Sequence, residues 1–346
     1  MKAKKIIGIV SVIIVTVAIA YGYKLYSDIF ASNTSFNEPE VAVFVPTNAN
    51  FEVVKDLLKP YVKDIEKIQS VAEKKSFVTN VKAGKFILKK GMNSNDIINA
   101  MRQPVAIKIN FNNQERLEDL AGRIGQQIEA DSTSLMKSFL DPEFLKENGF
   151  NEDNVLSMFI PNQYEFFWNT NADKFRDRMA KEYRKFWNED RTKKAEALGL
   201  TPLQVSALAS IVHKETVKTD ERPRVAGVYL NRLNKGIKLE ADPTVIYSVK
   251  KNANDYSLVI KRVLNKDLAT DSPYNTYMYA GLPPGPIAMP DITAIDAVLN
   301  PEKHKYIYFC ASVTNFGYHE FAITPAEHEA NRQKYVAWIN SQGIKR

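Results

Sequence analysis

The chain has 346 residues, 47 of them Lys or Arg and 40 Asp or Glu, for a formal net charge of +7. At 45% hydrophobic and 25% charged it has an ordinary globular composition, which excludes a disordered chain, a collagen-like repeat and a polytopic membrane protein. The length suits about two domains of ~100–200 residues each. A single cysteine, Cys310, excludes an intramolecular disulfide and a Cys-based zinc site, and the basic residues are spread too evenly for a nucleic-acid site.

Lys2, Lys4 and Lys5 precede an uncharged run from Ile6 to Tyr23. As a helix this run is ~27 Å long, just enough to cross a ~30 Å hydrocarbon core. Lysines ahead of the run place the N-terminus in the cytoplasm and the rest of the chain outside it. Tyr21, Tyr23 and Tyr26 fall where an interfacial aromatic belt would lie. Two readings fit: a retained single-pass anchor over residues 1–24, which is the one adopted, and a signal peptide cleaved after the small residues of Ala18-Ile19-Ala20. Both export the globular part.

Residues 25–40 are polar and punctuated, and read as a stalk. The segment 41–104 opens on EVAVFVPT, an alternating strand with Val41, Val43 and Val45 on one face. Helical patterns follow at Phe51–Leu58 and Val62–Val71. Next comes a strand with Phe86 and Leu88, a turn at Gly91, and a helix capped by Asn93 or Ser94 that carries Ile97, Ile98 and Met101. VAIKINF (105–111) is a further strand and Glu115–Ile128 an amphipathic helix. Residues 132–200 are mainly helical, with Phe159, Tyr164, Phe166, Phe167 and Trp168 crowded around Pro161; this cluster reads either as core or as the lining of a saccharide groove.

Thr201-Pro202 opens a helix, a capping hydroxyl followed by proline at the first helical position. Leu208, Ile211 and Val212 lie seven, four and three positions before Glu215, on the same face at ~100° per residue, while His213 points about 160° away. A carboxyl group sharing an apolar face must be paired or protonated. Two readings follow: an ion pair with Arg222, Arg224 or Arg232, or a carboxyl whose raised pKa keeps it available as a general acid. A second helix, Pro223–Leu233, stops at Gly236. Pro273–Pro290 then holds five of the chain's 16 prolines, a rigid loop that implies a binding surface.

These segments carry a resemblance. SIVHKET (210–216), VAGVYLNRLNKGIKLEADPTV (225–245), YNTY (274–277) and GLPPGPIAMP (281–290) resemble the signature blocks of the YceG-like family of endolytic peptidoglycan transglycosylases. YFCAS with HEF and EH (319–321, 327–328) fits the same pattern. The resemblance implies an α+β fold: a membrane anchor, a LysM-like module at 41–104, and a helix-rich catalytic domain at 105–346, with its signature core at 200–330, in which an antiparallel sheet frames a groove. It implies Glu215 as catalytic residue, and Asp242, Thr244, Tyr274, Asn275, Thr276 and Tyr277 as residues that bind saccharide. Many members have a second Glu where this chain has His213, Gln where it has Glu240-Ala241, and acidic residues flanking the proline of the block that here reads SMFIPNQYEF, which leaves Glu165 weakly placed.

The implied activity is non-hydrolytic cleavage of the MurNAc-β-1,4-GlcNAc bond, leaving 1,6-anhydro ends and helping to set glycan length. The implied partners are peptidoglycan strands, the plasma membrane and wall-synthesis enzymes, with no nucleic acid, cofactor or metal. A glycosidase normally needs two carboxyl groups, whereas this reaction manages with one. The alternative is a membrane-tethered glycan-binding scaffold without required catalysis. Among the other candidates, His213, His304, His319 and His328 match no metal-binding spacing and read as structural. Cys310 reads as a buried hydrophobe, and Ser210 lacks a nucleophile-elbow setting.

Overall fold

The computed structural model describes residues 2–341 and, except at residues 2–7, 25 and 28, their side chains. The reading of Lys2, Lys4, Lys5 and the first residues of the apolar run therefore lies outside the described side chains. In chain order the elements begin with helix α1 (Lys2–Phe30), strand β1 (Glu40–Val45), α2 (Phe51–Leu58), α3 (Ile65–Lys74), β2 (Gly84–Lys89) and α4 (Ser94–Ala100). There follow β3 (Ala106–Phe111), α5 (Leu117–Gly125), α6 (Ser132–Phe139), α7 (Pro142–Asn148), β4 (Asn162–Phe167), α8 (Ala172–Phe186) and α9 (Glu189–Ala197). The last part comprises α10 (Pro202–Glu215), α11 (Arg222–Asn234), α12 (Asp242–Ala253), α13 (Asn265–Leu268), α14 (Ile292–Leu299), β5 (Tyr308–Ala311), β6 (His319–Ala322) and α15 (Pro325–Ser341). The fold is α+β, with three two-stranded sheets, β1–β2, β3–β4 and β5–β6, among the described residues.

Two compact units emerge. One takes in the chain up to Ile109 together with Gln126–Ala130 and Tyr164–Asn171; the other takes in Asn110–Gly125, Asp131–Gln163 and the chain from Ala172.

In the first unit, alternation builds the β1–β2 antiparallel pair, with Val41 opposite Leu88, Val43 opposite Phe86 and Val45 opposite Gly84. Val43, Val45, Phe86 and Leu88 turn inward onto Val54, Leu58, Ile68, Ile97, Ile98 and Met101 from α2, α3 and α4. Side-chain caps start these helices: Asn50 accepts from Val53 N, Asp64 from Glu66 N and Lys67 N, and Asn93, rather than Ser94, from Asp96 N. Each such cap contributes about 1 kcal/mol.

The polar stretch 25–40 is not a free spacer. α1 continues to Phe30, and Asn33 and Thr34 are buried. The Asn33 amide donates to Asp64 O at 2.8 Å and to Ser94 Oγ at 3.0 Å and accepts from Asp64 N at 2.9 Å, while Thr34 Oγ1 accepts from Gly91 N at 2.8 Å. Upstream, the apolar stretch Gly8–Lys24 of α1 is exposed throughout. Among the described residues no single helix is long and apolar enough to cross a membrane.

In the second unit, α10 is the central helix. Thr201 and Gln204 form a reciprocal capping box around Pro202 at the first turn. Every residue from Val205 to Val212 is buried, so α10 is covered on all sides instead of along one stripe. It packs against α11 and α14 in a core that includes Leu208, Ile211, Val212, Val225, Tyr229, Ile295 and Val298. The polar residues inside this core have partners: Ser210 Oγ donates to Ala207 O at 2.7 Å and accepts from Ile287 N at 3.0 Å, which ties the proline-rich loop to α10. That loop also requires Gly285, where a Cβ would lie 1.9 Å from Asp153 O.

Candidate active site

The C-terminal end of α10 delivers Glu215 to a cavity of about 490 Å³, within the usual ~300–1,000 Å³ of ligand sites. Tyr229 and Arg232 of α11, Glu240 and Asp242 at the start of α12, and Tyr277 complete one side. The β5 strand, His319 of β6, and His328, Arg332 and Tyr335 of α15 form the other. The antiparallel hairpin β5–β6, with Phe309 opposite Phe321 and Ala311 opposite His319, is thus a wall of the cavity.

None of the three arginines proposed as partners reaches Glu215. Arg222 is engaged by Asp291 at 2.7 and 2.9 Å, and Arg224 by Glu302 at 3.0 Å. Arg232 binds Glu240, Lys238 O at 2.7 Å and Ile307 O at 2.9 Å. What Glu215 has is the Tyr229 hydroxyl, which donates to its Oε1 at 2.5 Å. Burial pushes the Glu215 carboxyl up to about 7, with the Asp242 charge adding to the rise and the Tyr229 hydrogen bond and His319 opposing it. Burial also raises Asp242, against a hydrogen bond from the Tyr277 hydroxyl at 2.7 Å. His213 belongs to a separate cluster, with its Nδ1 3.2 Å from Asp291. Burial works against the Asp291 charge, but hydrogen bonds from His213, Arg222 and the α14 N-terminus outweigh it and lower its pKa.

Two of the six residues expected to bind saccharide, Asp242 and Tyr277, line the cavity; the other four do not. Thr244, Tyr274, Asn275 and Thr276 are at most 2% exposed, and their polar atoms are spent inside the protein. The Tyr274 hydroxyl donates to Asp153 Oδ1 at 3.0 Å, and the Asn275 amide donates to Leu268 O and Thr270 O at 3.0 and 2.8 Å. The Thr244 and Thr276 hydroxyls lie 2.8 Å apart, and Thr276 Oγ1 also accepts from Ala241 N at 3.0 Å. Their work is support. The threonine clasp fixes the turn into α12, where Glu240 takes φ +52, a conformation that non-glycine residues adopt only when neighbours hold them there. Asp242 and Tyr277 enter the cavity from the two sides of that clasp.

Residues 43–334 match the YceG-like family.

The chain belongs to that family.

It is 39% identical over 135 residues, 39% of its length, to the endolytic murein transglycosylase of Bacillus subtilis. It is 25% identical over 350 aligned positions, 91% of its length, to that of Streptococcus pneumoniae. These matches span only 35% and 62% of the two relatives. A crystal structure of a YceG-like protein from Listeria monocytogenes aligns with a TM-score of 0.57 at 25% identity, over 85% of this chain and 99% of that one.

Against the family blocks, other parts of the cavity were less legible. Tyr229 reads as core by its spacing from Val225; its hydroxyl on Glu215 depends on the packing of α11 on α10. Cys310 is half-buried and lines the cavity instead of lying in the core, and burial raises its thiol pKa. His328 stacks on Tyr308 at 5.0 Å, and His304 lies 2.9 Å from Arg224 O through Nε2. No group of three or more metal-ligating side chains gathers among the described residues. Of the α15 residues at the cavity, His328 falls in the EH block that the sequence singled out, whereas Arg332 and Tyr335 carried no such signal.

Proposed function

We propose that this YceG-like chain is a membrane-anchored lytic transglycosylase that cleaves the MurNAc-β-1,4-GlcNAc bond of peptidoglycan strands endolytically, with Glu215 as its general acid. The observation that carries the reading is a carboxyl group at the head of a saccharide-sized cavity, free of any arginine and raised to about 7 by burial. At neutral pH about half of such a group holds a proton, which suits both giving and taking one. The names of the curated relatives supply the substrate class.

In the reaction, Glu215 donates its proton to the glycosidic oxygen as the C1–O bond breaks. The C6 hydroxyl of the same MurNAc closes onto C1, and its proton leaves to the enzyme. One bond breaks and one forms, no water is consumed, and the product carries a 1,6-anhydro end. Holding that hydroxyl close to C1 supplies most of the advantage. Asp242 and Tyr277 present a hydrogen-bonded carboxyl and phenol to the sugar, and the Thr244–Thr276 clasp keeps them in place.

The remaining assignments belong to the same proposal. α1, whose apolar stretch Gly8–Lys24 is exposed, is the membrane anchor, with that stretch facing lipid, the N-terminus cytoplasmic and the chain beyond α1 outside. The 41–104 segment is a LysM-like module, and the anchor brings the cavity to strands made by wall-synthesis enzymes.

The test is mass spectrometry of purified glycan strands incubated with the detergent-solubilised full chain, beside Glu215→Gln. Products lighter by one water than hydrolytic ones, and absent with the variant, support the proposal. Full-mass reducing ends would mean hydrolysis and direct attention to Asp242 and Glu240. Glycan binding without cleavage would favour a scaffold.

A further inference from the structure

The Glu215 mechanism leaves one motif unused, the HEF segment that opens β6. We propose, resting on the transglycosylase reading above, that His319 is a second catalytic residue whose Nε2 takes the proton of the attacking hydroxyl.

The geometry begins at Glu221, which stands at the N-terminal end of α11 and is 4% exposed. Its Oε1 accepts from the backbone N of His319 at 2.7 Å, and its Oε2 lies 2.8 Å from His319 Nδ1. Burial opposes the charge of Glu221, but the hydrogen bonds from His319 outweigh it and lower its pKa. An ionised carboxylate has no proton to give, so Nδ1 must carry the hydrogen of this contact. In the neutral ring Nε2 is then the nitrogen with a free lone pair. No described residue bonds to it. The ring is clamped edge-on by Phe309 at 5.0 Å and Phe321 at 6.4 Å, and it lines the same cavity as Glu215.

A histidine oriented through Nδ1 by a buried carboxylate, with Nε2 left open to a cavity, is the arrangement proteins use to abstract a hydroxyl proton. Asp242, the other group at hand, already holds the Tyr277 hydroxyl. The protons balance. Glu215 gives its proton to the leaving oxygen, and His319 Nε2 receives the proton of the hydroxyl as the new C1–O bond forms. The imidazolium then faces the carboxylate that Glu215 has become, and transfer of one proton from the first to the second through the solvent of the cavity resets the site.

A structural role would need only Nδ1 and the backbone N–H, so the test separates the two ring nitrogens. In His319→Asn the amide nitrogen replaces Nδ1 at Glu221 and nothing replaces Nε2. With the detergent-solubilised full chain on purified glycan strands, His319→Asn should lose on the order of 100-fold in kcat, with KM within about twofold of the parent value. Added imidazole should restore at least part of the activity of His319→Gly. Parental kcat in His319→Asn overturns the proposal, and so does loss in both variants without rescue by imidazole, the ring then serving the fold alone. Full-mass ends from the parent chain overturn only the ring-closing reading, since His319 would then draw its proton from water. No cleavage by the parent chain overturns both.

Discussion

Glu215→Gln should make the protein more stable, and only above a definite pH. In the folded chain the Glu215 carboxyl titrates at about 7 against an ordinary 4.5. The folded state therefore binds this proton more tightly than the unfolded state. Below about pH 4.5 both states hold it and pH has no effect through this group. Between 4.5 and 7 the unfolded chain releases the proton while the folded chain keeps it, so stability falls as pH rises; above about 7 the loss is complete. At 1.36 kcal/mol per pH unit the gap is worth roughly 3 kcal/mol. Glutamine never pays this desolvation penalty, and its amide oxygen can still accept from the Tyr229 hydroxyl. Thermal unfolding followed by tryptophan fluorescence, with Trp187 in the core beside α10, should show coincident midpoints at pH 4. By pH 8.5 the variant should melt higher by on the order of 5–10 °C. Midpoints that run parallel from pH 4 to 8.5 would refute the argument that burial holds the Glu215 proton.

The same carboxyl sets two further expectations. In the parent chain kcat/KM should fall above about pH 7 as the acid form is lost, and Tyr229→Phe, which removes a hydrogen bond that lowers the Glu215 pKa, should move that alkaline limb to higher pH; a limb that stays or moves down would count against the Tyr229 contact. Thr276→Val removes a hydroxyl shared by Thr244 Oγ1 and Ala241 N. It should cost about 1–3 kcal/mol in urea unfolding and lower kcat by displacing Asp242 and Tyr277, whereas an unchanged kcat would show that the clasp does not position them.

Much of the local structure was legible because its causes are local. Thr201, Pro202 and Gln204 start α10 with groups that lie within one turn of each other, and Asn50, Asp64 and Asn93 do the same for their helices. Alternation set the inward face of β1, and helical geometry put Glu215 and His213 on different faces, where they have different partners. The family blocks singled out the same Glu215. The polar stretch 25–40, by contrast, gave no sign that Asn33 would be buried, since its partners Asp64 and Ser94 lie 31 and 61 residues away.

The character of the cavity could not be read along the chain. Whether Glu215 had an arginine depended on where Asp291, Glu302 and Glu240 lay in space. YNTY was expected to bind sugar from the family resemblance and its residue types; the side chains of Tyr274, Asn275 and Thr276 are taken up by Asp153, the carbonyls of Leu268 and Thr270, and Thr244, partners that the fold supplies. Glu221 and His319 meet across 98 residues. Composition, capping and periodicity act between neighbours and so determine which elements form and which side chains face inward. The energy of a buried charge or hydroxyl depends on every group within a few ångströms, and only tertiary packing decides which groups those are.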